Sequence, residues 1–299
     1  METIPAKNML TRTKNNFWFG TDYNMNIYRG CSHGCIYCDS RSECYGIDHF
    51  DQVRAKENAL AILEDNLRRK TLKGVVGTGA MSDPYNPFEK KEALTRQALE
   101  LIKTHGFGVA IATKSPLVTR DKDLLSAIQK RSPVIVKITI TTADDALAKI
   151  IEPRAAPSSE RFAAIKELSQ SGIFAGVLLM PILPFINDTT DNIRKIVELA
   201  AKSGADFVYP AFGVTLRDQQ RRYFYDQLDK HFPGIKKEYL KHFGNAYSCA
   251  SPNAKSLWAV FARECQRHGL LYKMPDIVSR YKLEHGSQQL SFLFDDIIL

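Results

Sequence analysis

Between residues 50 and 210 the chain alternates short apolar runs with longer stretches of helical spacing, and nothing else in it restricts the fold so much. The apolar runs are 74–79, 108–113, 134–140, 173–180 and 207–210, most of them bounded by glycine or proline. They do not alternate polar with apolar residues. Strands of that kind are buried on both faces, which calls for a parallel sheet covered by helices. The spacing predicts helices at 54–70, on Ala55, Ala59, Ile62, Leu63 and Leu67, and at 89–105, on Leu94, Ala98, Leu101 and Ile102. Others follow at 121–130, 144–150, 158–171 with a serine cap, and 190–203. With 24–28 as the first strand there are six β/α units. That count suits an open, partial (β/α)6 TIM-like barrel or a doubly wound sheet.

Beyond Pro210 the pattern changes. Residues 217–228 (RDQQRRYFYDQL) read as a basic, aromatic helix and 252–268 as another, while 287–299 is apolar and acid-tipped. The division is therefore 1–210, a barrel with an N-terminal extension, and 211–299, a helical C-terminal cap and tail. A chain of 299 residues can bury one large core with such an appendage. At 44% hydrophobic and 25% charged residues, disorder is excluded. No apolar run spans a bilayer and the first fourteen residues lack a signal-peptide core, so the cytoplasm is the expected compartment and no membrane is expected as a partner. In that reducing place the six cysteines read as ligands or buried thiols, not disulfides. The net charge of +8 favours a polyanionic partner, and from Arg217 to Lys282 there are 13 Lys/Arg against 6 Asp/Glu.

The first strand runs into Tyr28-Arg-Gly-Cys31-Ser-His-Gly-Cys35-Ile-Tyr-Cys38. Three thiolates at this spacing can hold three irons of one [4Fe–4S] cube. The fourth iron is left for a small chelator carrying an amine and a carboxylate, and the methionyl end of S-adenosylmethionine has both. An electron from the reduced cluster then breaks a C–S bond and releases a 5′-deoxyadenosyl radical. Gly30 and Gly34 let the backbone close around the sulfurs. The alternative is a zinc site made from the three cysteines and His33, but structural zinc sites usually bring two separated pairs of ligands.

The CxxxCxxC loop, with Tyr37 before its last cysteine, resembles that of the radical S-adenosylmethionine superfamily. Further along, Asn26-Ile-Tyr-Arg-Gly-Cys31, Ser82-Asp-Pro-Tyr-Asn-Pro-Phe-Glu89, Thr113-Lys-Ser115, Glu152-Pro-Arg154 and Pro181-Ile-Leu-Pro184 are similar to the branch that contains spore photoproduct lyase and the DNA repair photolyase-like proteins. The resemblance implies a partial (β/α)6 barrel, an electron donor of flavodoxin or ferredoxin type, and a lyase that reverses ultraviolet damage in DNA. It also implies that Gly77-Thr-Gly-Ala-Met-Ser-Asp83, after the second strand, contacts the methionyl amine through Thr78, Ser82 or Asp83. Tyr37, Lys114, Thr139 and Arg154 complete the candidate cofactor residues, Arg154 as a partner for the methionyl carboxylate. Spore photoproduct lyase is known for a cysteine hydrogen donor near the end of its second strand, where this chain carries Ala80 and Met81. Cys44, six residues past the loop, is the candidate donor in its place, and Tyr85 a candidate radical relay.

For a nucleic-acid substrate the candidates are Arg217, Arg221, Arg222 and Tyr223, arginines for phosphates beside an aromatic ring for stacking. The tail Gln289-Leu-Ser-Phe-Leu-Phe294 is similar to the short peptides by which bacterial repair proteins dock on the sliding clamp. Two other functions fit these residues: radical chemistry on tRNA, a peptide or a small metabolite, and a non-catalytic metal-binding protein that recruits partners.

Overall fold

The computed structural model describes residues 1–285. Six parallel strands form its centre: β1 (Tyr23–Met25), β2 (Val75–Thr78), β3 (Gly108–Thr113), β4 (Val134–Thr139), β5 (Ala175–Leu179) and β6 (Phe207–Pro210). They pair in chain order, with Leu10–Arg12 added antiparallel beside β1. A doubly wound sheet reverses its strand order at a switch point, and this one does not. Nor does β6 pair with β1 among the described residues, so the sheet is an open, partial barrel.

The connecting helices are α1 (Ala59–Arg68), α2 (Leu94–Thr104), α3 (Lys122–Gln129), α4 (Asp145–Ile151), α5 (Ser158–Gln170) and α6 (Thr190–Lys202). Along β4, Val134, Val136 and Ile138 pack into the core shared with these helices, whereas Ile135, Lys137 and Thr139 face the hollow of the barrel. Both faces are therefore buried, which is why the run shows no alternation.

One predicted helix begins late and another is interrupted. Arg54–Lys56 is a strand, paired with Thr3–Ile4 and with Tyr28–Arg29 in a small separate sheet, and α1 starts only after Asn58 turns left-handed at φ 52°. The predicted 24–28 strand is divided for the same reason, since Tyr28 belongs to that small sheet. The 89–105 helix breaks at Ala93, at φ 50°. There the buried Glu89 carboxylate accepts the amide of Thr95 at 3.0 Å and caps the N-terminus of α2. Ser158 is the first helical residue of α5 rather than its cap; Pro157 holds that place.

The segment after Pro210 goes to three places. Helices α7 (Asp218–His231) and α8 (Ile235–Phe243) pack on the cysteine loop at the barrel mouth. Helix α9 (Ala254–Arg267) lies outside against α6, burying Leu257, Phe261 and Cys265. Helix α10 (Met274–Lys282) fills the open side near the amino ends of the strands, where Met274, Ile277 and Tyr281 meet Phe19, Val75, Ile135 and Phe207. Of the described residues of the predicted cap, those of α7 and α8 lie at the mouth. Residues Gln289 and Phe294 of the clamp-like tail lie outside the described residues.

Gly79, just past β2, has φ +94°, and a Cβ on it would collide with the Ala112 carbonyl. Neither backbone can move without breaking the β2–β3 ladder. Gly79→Ala is expected to destabilise the fold by about 3 kcal/mol or more, read as a lowered urea midpoint.

Candidate active site

The carboxyl ends of β2, β3 and β4 and the cysteine loop enclose a chamber of about 360 Å³. Cys31, Cys35 and Cys38, all free thiols, form one wall. The loop that carries them is tied on every side: Cys31 N–H donates to the Phe50 carbonyl at 2.8 Å, Ile36 N–H to the Ile151 carbonyl at 2.9 Å, and Arg154 N–H to the His33 carbonyl at 3.0 Å. The Ser82 hydroxyl donates to the Gly30 carbonyl at 2.5 Å, joining the loop to the segment after β2. Gly30, at φ +79°, has no room for a Cβ against the Gln52 carbonyl.

Burial pushes the Cys31 thiol up to about 11 and raises Cys35 and Cys38 as well. Thiolates here are formed by the metal that displaces their protons, as iron ligation requires. The backbone amides of His33 and Asp83 point at the Cys31 sulfur and ease that ionisation. Three thiols on one wall of a chamber with space beside them suit a cluster that leaves one iron open. His33 also lines this chamber, and its Nδ1 lies 3.4 Å from the Asp83 carboxylate, which ties the loop to the segment after β2. Among the described residues no three His, Cys, Asp or Glu side chains gather as around a single ion.

Thr78, Ser82, Asp83, Lys114 and Thr139 share the chamber wall, so five of the predicted cofactor residues come together with the cysteines. Asp83 is heavily engaged: it accepts the Thr113 hydroxyl at 2.6 Å and the amides of Lys114 and Tyr85 at 2.8 and 2.9 Å. Its role here is to lock the loop, β2 and β3 together.

Tyr37 and Arg154 brace the loop from behind. The Tyr37 hydroxyl donates to Glu152, whose other oxygen lies 2.5 Å from Arg161 Nη1, and both charged partners are buried. Burial alone would raise the Glu152 pKa, but Arg161 and Lys114 outweigh it and keep the carboxylate ionised. Glu152→Ala strands a buried guanidinium and a buried phenol. It is expected to cost about 3–5 kcal/mol in chemical denaturation. Arg154 sits outside the loop, bonded to the Ser32 carbonyl and, at 2.6 Å, to Asp51.

Neither candidate radical carrier reaches the chamber. Tyr85 is buried between sheet and helices, its ring 6.0 Å from the Arg120 guanidinium. Cys44 is exposed on the far side of the loop, 3.3 Å from Ser42 Oγ and from Arg217 Nη1. Ala80 and Met81 do line the chamber, as do Trp18 and Lys137, which the sequence reading missed. Lys137 did leave a signal: a lone cation inside an apolar strand.

The basic helix is largely committed to internal contacts. Arg221 donates to the carbonyls of Leu216, Gly244 and Ala246, Arg217 pairs with Asp39 at 3.3 Å, and Tyr223 lies under Arg41, 4.0 Å from the guanidinium. The buried Gln220, also missed, donates to the Tyr37 carbonyl at 3.2 Å and so docks α7 on the cysteine loop. Only Arg222 of the four predicted nucleic-acid residues is exposed.

The Radical SAM superfamily model matches residues 25–204. An uncharacterized protein of Mycobacterium tuberculosis is 30% identical over 243 residues, covering 79% of this chain and 71% of its own length. Another, from Methanocaldococcus jannaschii, is 33% identical over 233 residues, covering 77% and 83%. Among solved structures, spore photoproduct lyase complexed with dinucleoside spore photoproduct superposes with a TM-score of 0.65 at 15% identity, covering 91% of this chain and 81% of that one. The radical S-adenosylmethionine methyltransferase TsrM of Kitasatospora setae, with tryptophan and a SAM analogue bound, gives 0.55 at 12% identity, covering 89% and 62%. At such identities the two structures share the fold.

Proposed function

Because the chain belongs to the radical SAM superfamily, whose enzymes use a [4Fe–4S] cluster and S-adenosylmethionine, we propose that it is a lyase-type enzyme acting on damaged DNA. The cluster and S-adenosylmethionine supply a 5′-deoxyadenosyl radical when reduced by an external donor. This chain's residues do the rest. Cys31, Cys35 and Cys38 hold the cluster; Thr78, Ser82, Lys114 and Thr139 offer polar contacts on the adjoining walls. Cys35 is buried and Cys31 and Cys38 are half-buried on the chamber wall.

The observation that carries the DNA reading is the run of motifs from Asn26 to Pro184, set on a fold shared over 91% of the chain with an enzyme whose structure holds a dinucleoside photoproduct. Ala80 and Met81 mark the departure. Among the described residues no thiol other than the three cluster ligands lines the chamber, so a lyase step here closes through a different hydrogen donor. The same departure favours, as a second reading, radical chemistry on another substrate that enters the same chamber.

The test is 5′-deoxyadenosine release by the reduced holoenzyme with and without ultraviolet-irradiated DNA. Stimulation by irradiated DNA over unirradiated DNA, with loss of photoproduct, is expected. If irradiated DNA neither binds in a salt-dependent way nor loses photoproduct, the repair assignment fails.

A further inference from the structure

Lys137 stands in the middle of β4, facing the hollow of the barrel, and is only 2% exposed. Its strand neighbours across the sheet are Ala112 and Gly176, neither of which offers a polar side chain. Its ammonium lies 4.6 Å from the centre of the Phe19 ring, and no hydrogen-bond or ion-pair partner reaches it among the described residues.

The other charged groups around the hollow are committed elsewhere. Asp83 is held by Thr113, the Lys114 amide and His33. Lys114 lies at the end of β3 toward Cys35 and Glu152, and Lys282 on α10 donates to the Gly20 carbonyl at 2.6 Å. Neither the cysteine thiols nor any carboxylate influences Lys137; burial alone acts on it, pushing its ammonium down to about 7.

An unpaired buried cation is among the costliest groups a fold can carry, and a face of Phe19 offsets only a small part of that cost. Its apolar neighbours would pack as well around a methionine. What a lysine adds at this position is a positive charge that opens onto a ligand chamber.

We propose that Lys137 is an anion-binding subsite on the floor of the chamber, which receives a phosphate or carboxylate oxyanion of the substrate below the level of the cofactor residues. The inference rests on the chamber being the radical SAM active site, but not on the substrate being DNA. Trp18, which also lines the chamber, is one of only two tryptophans in the chain and serves as the reporter of binding there.

The experiment uses the anaerobically reconstituted full chain with Trp258→Phe, leaving Trp18 as the fluorophore. Sulfate, a phosphate-like anion that does not titrate near neutrality, and acetate are added separately. At least one is expected to give a saturable change in Trp18 emission. In the wild-type background its affinity falls about tenfold per pH unit above pH 7, as the ammonium loses its proton. Lys137→Met weakens binding at least about tenfold, and Lys137→Arg keeps it without the pH dependence, because guanidinium stays charged. Sulfate binding points to a phosphate group, acetate binding to a carboxylate, and either supports the subsite. No saturable change with either anion, or unchanged affinity in Lys137→Met, overturns it. An irradiated oligonucleotide titrated in parallel separates the two proposals: sulfate binding without oligonucleotide binding leaves the subsite standing and removes the DNA assignment.

Discussion

Cys35→Ala is expected to reduce the iron content of anaerobically reconstituted protein from about four atoms per chain to near zero, and 5′-deoxyadenosine formation to background. Three thiolates are the fewest that hold a cube with one open iron, so the loss of one ligand is not graded. The chain itself should stay folded, because the loop is fixed by backbone hydrogen bonds from Cys31, Ile36 and Arg154 and by Ser82, none of which uses a thiol. Circular dichroism of the variant should therefore match that of the metal-free parent. Cys44→Ser is the matched control: Cys44 lies outside the chamber, so iron and cleavage should stay at the parent level. Iron retained by Cys35→Ala, or lost from Cys44→Ser, would assign the ligands differently.

Lys137→Met is expected to stabilise the metal-free protein while removing its anion site. Burial lowers the ammonium from 10.5 in the unfolded chain to about 7 in the fold. Between those values the unfolded chain binds the extra proton, so wild-type stability rises with pH across that window, and the penalty is complete below it. Methionine carries no such penalty. Its advantage should be on the order of 4 kcal/mol at pH 7 and fall to on the order of 1 kcal/mol at pH 9.5, measured by urea unfolding of both proteins at the two pH values. A variant less stable than wild type at pH 7, or a difference independent of pH, would show that Lys137 has a partner in the fold. Residues kept at a cost to stability are characteristic of functional sites.

The parallel strands were legible because each is buried on both faces, and a continuous apolar run between glycines or prolines leaves few other readings. The chain order of those strands was not legible, and it is what decides between the open barrel and the doubly wound sheet. The short strand Arg54–Lys56 was hidden because a distant residue dictates it, Tyr28 pairing with Ala55, and the break at Ala93 because the Glu89 side chain caps the amide of Thr95 within one helical pattern. Helical spacing in the sequence continues through both points.

The structure brings Cys31, Cys35 and Cys38, grouped by their spacing, into one chamber with Thr78, Ser82 and Asp83, named from the family resemblance, and Lys114 and Thr139, named from strand ends. Arg154 braces the cysteine loop from outside, through the Ser32 carbonyl and Asp51. Glu152, two residues earlier, makes the buried contact, and its partners Tyr37 and Arg161 lie far along the chain in one direction and on the next helix in the other. The arginines of α7 read as a nucleic-acid face because their composition fits one. The partners of Arg221 and Arg217, loop carbonyls near Gly244 and the carboxylate of Asp39, are fixed only by the fold. No helix of the described residues is long and apolar enough to cross a membrane.

The most direct test of the account is reductive cleavage of S-adenosylmethionine by the anaerobically reconstituted chain. The account predicts about four irons per chain and, on reduction with dithionite, 5′-deoxyadenosine and methionine in equal amounts. A chain that binds fewer irons, or that binds four and forms no 5′-deoxyadenosine, would contradict it.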